Sequence, residues 1–229
     1  MTTALVIDTS SAYCSLALQS DGQVFACHEL LGRKHNERVL AMLDELFAQA
    51  GTHPAQVDVI GYNAGPGSFT GVRIAAAVAQ AIAFAGTASV VSIRSSRAVL
   101  NTLLQSEPDL MGSCPGVVVI WPSRADLYYL SAFGLDSEHV GVVQTEQLLQ
   151  APPEWLADYL AQQWRIAGPI PEWMETPPEH LGELAPSAQA QLGYVLERYH
   201  AGEAAAPELA LPVYLAEDSP WVAVSQRSP

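Results

Sequence analysis

A glycine-rich loop holds the residues best placed for anion chemistry. It reads Gly65-Pro66-Gly67-Ser68-Phe69-Thr70-Gly71-Val72-Arg73 and lies between an apolar run at 57–63 and an alanine-rich run at 71–85. This order predicts a strand, a turn and a helix. Free N–H groups and the dipole at such a helix start favour an anion, and Ser68 or Thr70 can cap the helix. A purely structural turn before a buried helix is the alternative interpretation.

Three familiar loop motifs fail at particular residues of this loop. A Walker A loop ends in Gly-Lys-Ser/Thr, but the chain's single lysine is Lys34. A dinucleotide-binding loop needs glycine where Thr70 stands, and a nucleophile elbow around Ser68 needs glycine where Pro66 stands. The glycines still permit positive φ angles and the close approach of another chain or a ligand.

A second candidate site is the corner Asp8-Thr9-Ser10, which follows the apolar run 5–7. Its hydroxyl and N–H groups suit a phosphate, and Asp8 suits a hydrated metal ion. Asp8 as a hydrogen-bonded turn residue is the other interpretation. No two of the six histidines stand four apart, as helical metal pairs require, so we expect no metal site. No serine or cysteine lies in a motif with a recognisable base.

The charge balance argues against direct nucleic-acid binding. The chain of 229 residues has a formal net charge of −14, and such a surface repels polyanions. A basic cluster at Arg33, Lys34, His35 and Arg38 is either a solvated helix start or a contact for an acidic partner or a nucleotide. Half of the residues are hydrophobic, no apolar run is long enough to span a membrane, and Asp8 interrupts the apolar N-terminal run, so we expect a soluble cytoplasmic protein.

The order of elements predicts an α/β protein with two similar halves. Three strands, a helix at 36–50, a strand and the 71–85 helix recur in weaker form after residue 98, which predicts lobes at 1–98 and 99–229. The 36–50 helix carries one apolar stripe, whereas the 71–85 helix is apolar nearly all round. Such a helix is enclosed in a core or covered by another chain.

The glycine loop, together with Ile7-Asp8-Thr9-Ser10 and Leu211-Pro212-Val213-Tyr214-Leu215, closely resembles the TsaB (YeaZ) family. The resemblance implies the duplicated actin/hexokinase/Hsp70-like fold and no catalysis by this chain. It implies a partner subunit for a homologous TsaD-like enzyme, which completes N6-threonylcarbamoyladenosine at position 37 of tRNAs reading codons that begin with A. In relatives, the place of Pro122 is often taken by Asp, which completes a nucleotide site.

The resemblance also implies specific contacts. The two N-terminal helices would pair with TsaD, or with a second copy when TsaD is absent, through Val39, Leu43, Leu46, Val72, Ala75, Ala76, Ala79 and Ile82. Residues 65–71 and Arg73 would form a structural loop, and Asp8, Thr9 and Ser10 a vestigial phosphate loop. No cofactor of its own is expected, although ATP or ADP could bind at the partner interface. A TsaE-like ATPase and tRNA would join only through the complex. A small-molecule ATPase or sugar kinase of the same fold is the alternative function.

Overall fold

Strands and helices alternate along the chain largely as the apolar periodicity predicts. The computed structural model describes residues 1–124 and 126–215. Its strands are β1 Ala4–Asp8, β2 Tyr13–Ser20, β3 Gln23–Leu30, β4 Val59–Gly65, β5 Ser89–Arg94, β6 Gly116–Pro122, β7 Tyr128–Leu135, β8 Val140–Leu149 and β9 Arg165–Ala167. The helices are α1 His35–Ala50, α2 Phe69–Ala85, α3 Ser95–Ser106, α4 Glu154–Ala161 and α5 Ala188–His200.

Two mixed sheets repeat one arrangement. The first sheet has the order β3-β2-β1-β4-β5, and the second has the order β8-β7-β6-β9. In the first sheet β1 pairs antiparallel with β2 and parallel with β4. In the second, β6 likewise pairs antiparallel with β7 and parallel with β9. The predicted duplicated, actin/hexokinase/Hsp70-like fold is confirmed.

The first sheet is covered by helices on both faces. Because strand side chains alternate, Leu5 and Ile7 of β1 point to the cluster that contains the buried stripes of α1 and α2. Ala4 and Val6 point to the opposite cluster, which contains α5. Both faces of β1 are buried, which explains its near-continuous apolar sequence.

Helix α3 lies between the two sheets. Ala98 packs with the first sheet, while Leu100 and Leu103 pack against the second sheet. Glu146 of β8 adds a polar link, since its carboxylate accepts a hydrogen bond from the Ser96 backbone N–H at 3.1 Å and pairs with Arg94 at 3.3 Å. The lobes are therefore joined by a shared helix and a buried carboxylate.

The C-terminal range 99–229, predicted as one lobe, contributes to both. Helix α5 packs on the first sheet, and the Val213 N–H donates to the Ala64 carbonyl at 2.8 Å. The boundary near residue 98 thus separates the two sheets, but the chain returns to the first lobe after β9. Strand β8 runs to Leu149, and β9 could not be anticipated from the sequence because three residues show no periodicity.

Candidate functional site

The Asp8 carboxylate is buried and fully engaged inside the protein. Its Oδ1 accepts hydrogen bonds from the Ser10 N–H at 2.9 Å and the Ser10 hydroxyl at 2.7 Å, and its Oδ2 accepts one from the Asn63 amide at 2.7 Å. Asp8 is only 2% exposed. Burial raises the pKa of this carboxyl, and the hydrogen bonds from Asn63 and Ser10 oppose that shift. The structure shows the hydrogen-bonded turn residue, the second of the two interpretations.

Asn63 organises this corner and was not singled out from the sequence. Its amide nitrogen also lies 3.0 Å from the Ser10 hydroxyl, and its carbonyl oxygen accepts from the Gly65 N–H at 2.9 Å and the Ser95 hydroxyl at 2.8 Å. One side chain therefore connects the β1 corner, the glycine loop and the start of α3. The available signal was a polar residue within an otherwise apolar strand.

The glycine loop packs on the same corner. The Thr9 hydroxyl donates to the Gly71 carbonyl at 2.7 Å, and a Cβ at position 71 would overlap the Thr9 carbonyl oxygen. A Cβ at Gly67 would stand 2.7 Å from the Ser10 carbonyl oxygen. Of these loop glycines only Gly65 has a positive φ, of 101°. Gly67 and Gly71 are needed for close approach, and what approaches them is the chain's own backbone.

The start of α2 uses its N–H groups within the loop. Ser68 is the N-cap, and its hydroxyl accepts from the Gly71 N–H at 3.3 Å. The Ser68 N–H donates to the Ser10 carbonyl at 2.8 Å, and the Val72 N–H donates to the Ser68 carbonyl at 2.9 Å. Two N–H donors at this helix start, those of Ser68 and Gly71, are therefore engaged within the chain.

The C-terminal motif closes over the glycine loop. The Arg73 guanidinium lies 3.3 Å from the Phe69 ring centroid and 5.2 Å from the Tyr214 ring centroid. The two rings are 6.2 Å apart. The loop and the Leu211–Leu215 motif therefore form one packed unit, which gives a physical reason for their occurrence together.

A cleft of about 850 Å³ lies between the lobes. Its walls include Phe69, Trp121, Pro122 and Tyr214, but neither Asp8 nor Thr9 reaches it. The Ser10 hydroxyl, at the rim, already donates to Asp8. The Asp8 carboxylate, the group of this corner that would suit a metal ion, is bonded to Ser10 and Asn63 and does not line the cleft.

The predicted partner-interface residues lie mostly in the chain's own core. Seven of them are buried, and Ile82 is partly exposed; the seven are Val39, Leu43, Leu46, Val72, Ala75, Ala76 and Ala79. The apolar stripe of α1 packs on the first sheet, and the same sheet buries one side of α2. The α1 stripe therefore marks the side that covers the sheet, and the pairing of α1 and α2 with a partner stays a prediction.

The outer faces of α1 and α2 form an apolar groove of about 280 Å³. It is lined by Leu40, Leu43, Asp44, Phe47, Pro54, Ala77, Val78, Ala81 and Ile82. Leu40 is 62% exposed, as is Phe84 one turn beyond Ala81. Contiguous exposed apolar surface of this kind marks interaction sites. The available signal was the spacing of Ala77, Ala81 and Phe84 along α2.

The basic cluster at the start of α1 is not a single exposed patch. His35 is buried and its Nε2 lies 3.1 Å from the Tyr13 carbonyl oxygen. Arg38 pairs with Glu29 at 2.9 Å and with Glu45 at 2.7 Å. Only Arg33 and Lys34 of the four are exposed and without such a partner among the described residues.

The described part of the chain lacks a metal-ligand cluster and a membrane-spanning helix. Within 1–124 and 126–215, no three His, Cys, Asp or Glu side chains cluster as ligands for a metal ion. No helix in the same part of the chain is both long and apolar enough to cross a membrane.

Several known proteins are similar to this chain in sequence or in structure. A family model described as TsaD, tRNA N6-adenosine threonylcarbamoyltransferase, matches residues 28–170, which is more than half of the chain. The tRNA threonylcarbamoyladenosine biosynthesis protein TsaB of Escherichia coli (strain K12) is 29% identical over 95% of this chain and 96% of its own length. A solved Pseudomonas aeruginosa structure, described as similar to the peptidase YeaZ, superposes with a TM-score of 0.82 at 30% identity, covering 94% of this chain and 100% of that one. The chain belongs to the TsaB (YeaZ) family.

Similarity to TsaB is higher over part of the chain. The TsaB protein of Haemophilus influenzae is 44% identical over 91 residues, which are 40% of this chain and 39% of that protein. A tRNA N6-adenosine threonylcarbamoyltransferase of Burkholderia ambifaria is 37% identical over 81 residues, 35% of this chain and 23% of that enzyme. The range that matches the TsaD model includes both helices of the exposed groove.

Proposed function

We propose that this chain is a non-catalytic subunit that binds and activates a TsaD-like enzyme. The enzyme completes N6-threonylcarbamoyladenosine at position 37 of tRNAs that read codons beginning with A. The observation that carries the proposal is the exposed apolar groove between α1 and α2. The family supports the pathway, because its relatives carry tRNA threonylcarbamoyladenosine biosynthesis in their names.

The groove suits a helical partner. Ala77 and Ala81 are small, so a helix can approach α2 closely, and Leu40 and Phe84 supply exposed apolar area on either side. A specific complex buries about 1,600 Å² in total, which the outer faces of two helices and their flanks can supply. A TsaD-like partner is related to this chain over α1 and α2, so it has equivalent helices to offer.

The net charge of the chain and the buried Asp8 corner indicate where nucleotide and tRNA bind in the proposed complex. Because Asp8 is engaged with Asn63 and Ser10, we assign no nucleotide to this chain's own cleft and place ATP or ADP at the interface with TsaD. The net charge of −14 opposes tRNA, so other subunits hold the tRNA. A TsaE-like ATPase joins through the complex, two copies of this chain pair when TsaD is absent, and the assembly works in the cytoplasm with its tRNA.

A small-molecule ATPase or sugar kinase is the second candidate, favoured by the interlobe cleft of about 850 Å³. The two functions differ in a simple assay. ATP turnover by the purified chain alone supports the kinase, whereas turnover that requires the cognate TsaD-like and TsaE-like proteins with tRNA supports the proposed subunit.

Ala81→Arg tests the proposed surface. Arginine in the groove blocks close packing and buries an unpaired charge, so we expect binding to the cognate TsaD-like protein to weaken by about 100-fold or more. The melting temperature should stay near wild type because Ala81 is exposed. Arginine at Ala76 or Ala79 is no test, since both are buried and the change would disrupt the core.

Ala157→Arg on α4 is the matched control, because Ala157 is also exposed and helical but lies in the second lobe. Isothermal titration and analytical ultracentrifugation measure the association. Wild-type affinity for both Ala81→Arg and Ala77→Arg would rule out the α1/α2 groove as the partner surface.

A further inference from the structure

We propose that Asp44 selects the partner of the α1/α2 groove: it pairs with a cationic side chain of the TsaD-like subunit and disfavours pairing of two copies of this chain. The inference rests on the proposed function and adds the chemistry that the groove recognises.

Asp44 is the charged residue in an otherwise uncharged groove lining, as far as the described residues show. It stands on the outer face of α1, one turn after Leu40 and one turn before Phe47, so any helix that covers those two side chains also covers Asp44. Asp44 is exposed, and within the described part of the chain no side chain forms a hydrogen bond or ion pair with it. Its carboxylate therefore enters the interface without a counter-charge from its own chain.

The arginines of α1 and α2, which could neutralise Asp44 from its own chain, are engaged with other residues. Arg38, on the same helix, pairs with Glu29 and with Glu45. Arg73, at the start of α2, is stacked on the Phe69 ring at 3.3 Å from its centroid. Both arginines are held by these contacts, and neither lines the groove.

A second copy of this chain is a poor match for this surface. A two-fold dimer uses the same patch on both protomers, so it places both Asp44 carboxylates in one interface and adds no cation from either groove lining. Like charges that lose water at an interface oppose association. A partner with lysine or arginine opposite Asp44 removes that penalty and forms a pair of opposite charges. The groove thus distinguishes a related subunit from an identical one by charge, since both offer apolar helices.

Asp44→Asn tests this, with Glu37→Gln as the control. Asparagine keeps the shape and removes the charge, while Glu37→Gln makes the same change of charge at an exposed position on α1 outside the groove lining. We expect Asp44→Asn to weaken binding to the cognate TsaD-like protein by about tenfold and to strengthen self-association by about fivefold. Rising salt should weaken the wild-type complex more than the Asp44→Asn complex. Glu37→Gln should change neither equilibrium by more than about twofold.

Titration calorimetry measures the complex, and sedimentation equilibrium of the isolated full chain measures self-association. Unchanged values for Asp44→Asn, or equal weakening of both associations, overturn the role of Asp44. The Ala81→Arg substitution separates failure of the role of Asp44 from failure of the proposed function. If Ala81→Arg abolishes TsaD binding while Asp44→Asn has no effect, the surface stands and the charge selection is wrong. If neither substitution affects TsaD binding, the surface itself is wrong.

Discussion

Replacing Gly71 with alanine should destabilise the protein by about 3 kcal/mol. The new Cβ would overlap the Thr9 carbonyl oxygen, so the first turn of α2 and the β1 corner must separate. Forced overpacking costs about 1–3 kcal/mol, and loss of the 2.7 Å hydrogen bond from the Thr9 hydroxyl to the Gly71 carbonyl adds about 1 kcal/mol. For a chain of this size that lowers the melting temperature by about 6–12 °C. Binding to TsaD should weaken as well, because α2 carries half of the groove.

The control is Gly193→Ala in α5. A Cβ at Gly193 has no atom within 4 Å, so alanine gains helix propensity of about 1 kcal/mol and should raise the melting temperature by about 2–4 °C. Scanning calorimetry and urea unfolding follow both variants. If Gly71→Ala melts within about 1 °C of wild type, close packing of the loop on Thr9 does not constrain the structure and the reasoning fails.

Two further outcomes are expected. Burial raises the pKa of the Glu146 carboxyl above its ordinary value of 4.5, so its contribution to stability is full below that value and falls as pH rises through the raised pKa. Urea unfolding between pH 4 and pH 8 should therefore show the stability of wild type relative to Glu146→Gln decreasing as pH rises, and a constant difference would contradict this. The isolated chain should bind labelled tRNA at physiological salt with a Kd of about 10⁻⁴ M or weaker, since its net charge is −14. Micromolar binding in fluorescence anisotropy, lost on neutralising Arg33 and Lys34, would contradict that expectation.

Much of the fold could be predicted because periodicity and turn chemistry are local. The α1 stripe and the strand alternation of β2 identify their elements, and Ser68 caps α2 as one of the two predicted hydroxyls. The outward face of α2 could not be predicted, because a helix that is apolar nearly all round has no polar side to mark which residues face solvent. Only the position of the first sheet shows that Ala76 and Ala79 are buried while Ala77 and Ala81 are exposed.

The candidate site was harder to predict than the fold because its contacts join distant parts of the chain. The corner Asp8-Thr9-Ser10 has the composition of a phosphate loop, but Asn63, far along the sequence, satisfies the Asp8 carboxylate. Arg38 looked like part of a basic patch, but Glu29 and Glu45 neutralise it from the neighbouring strand and the next turns of its own helix. Residue types indicated which charged and polar groups were available. Contacts between distant residues decided which of these groups stay free to bind a ligand.

The return of α5 to the first sheet links the stability of the groove to the completion of synthesis. Helices α1 and α2 emerge from the ribosome early, but the opposite face of their sheet, with Ala4 and Val6, lacks the cover of α5 until residues 188–200 have been made. A nascent or truncated chain that stops after the second sheet exposes that apolar face to water. The layer that carries the groove thus reaches its full stability only in a nearly finished polypeptide.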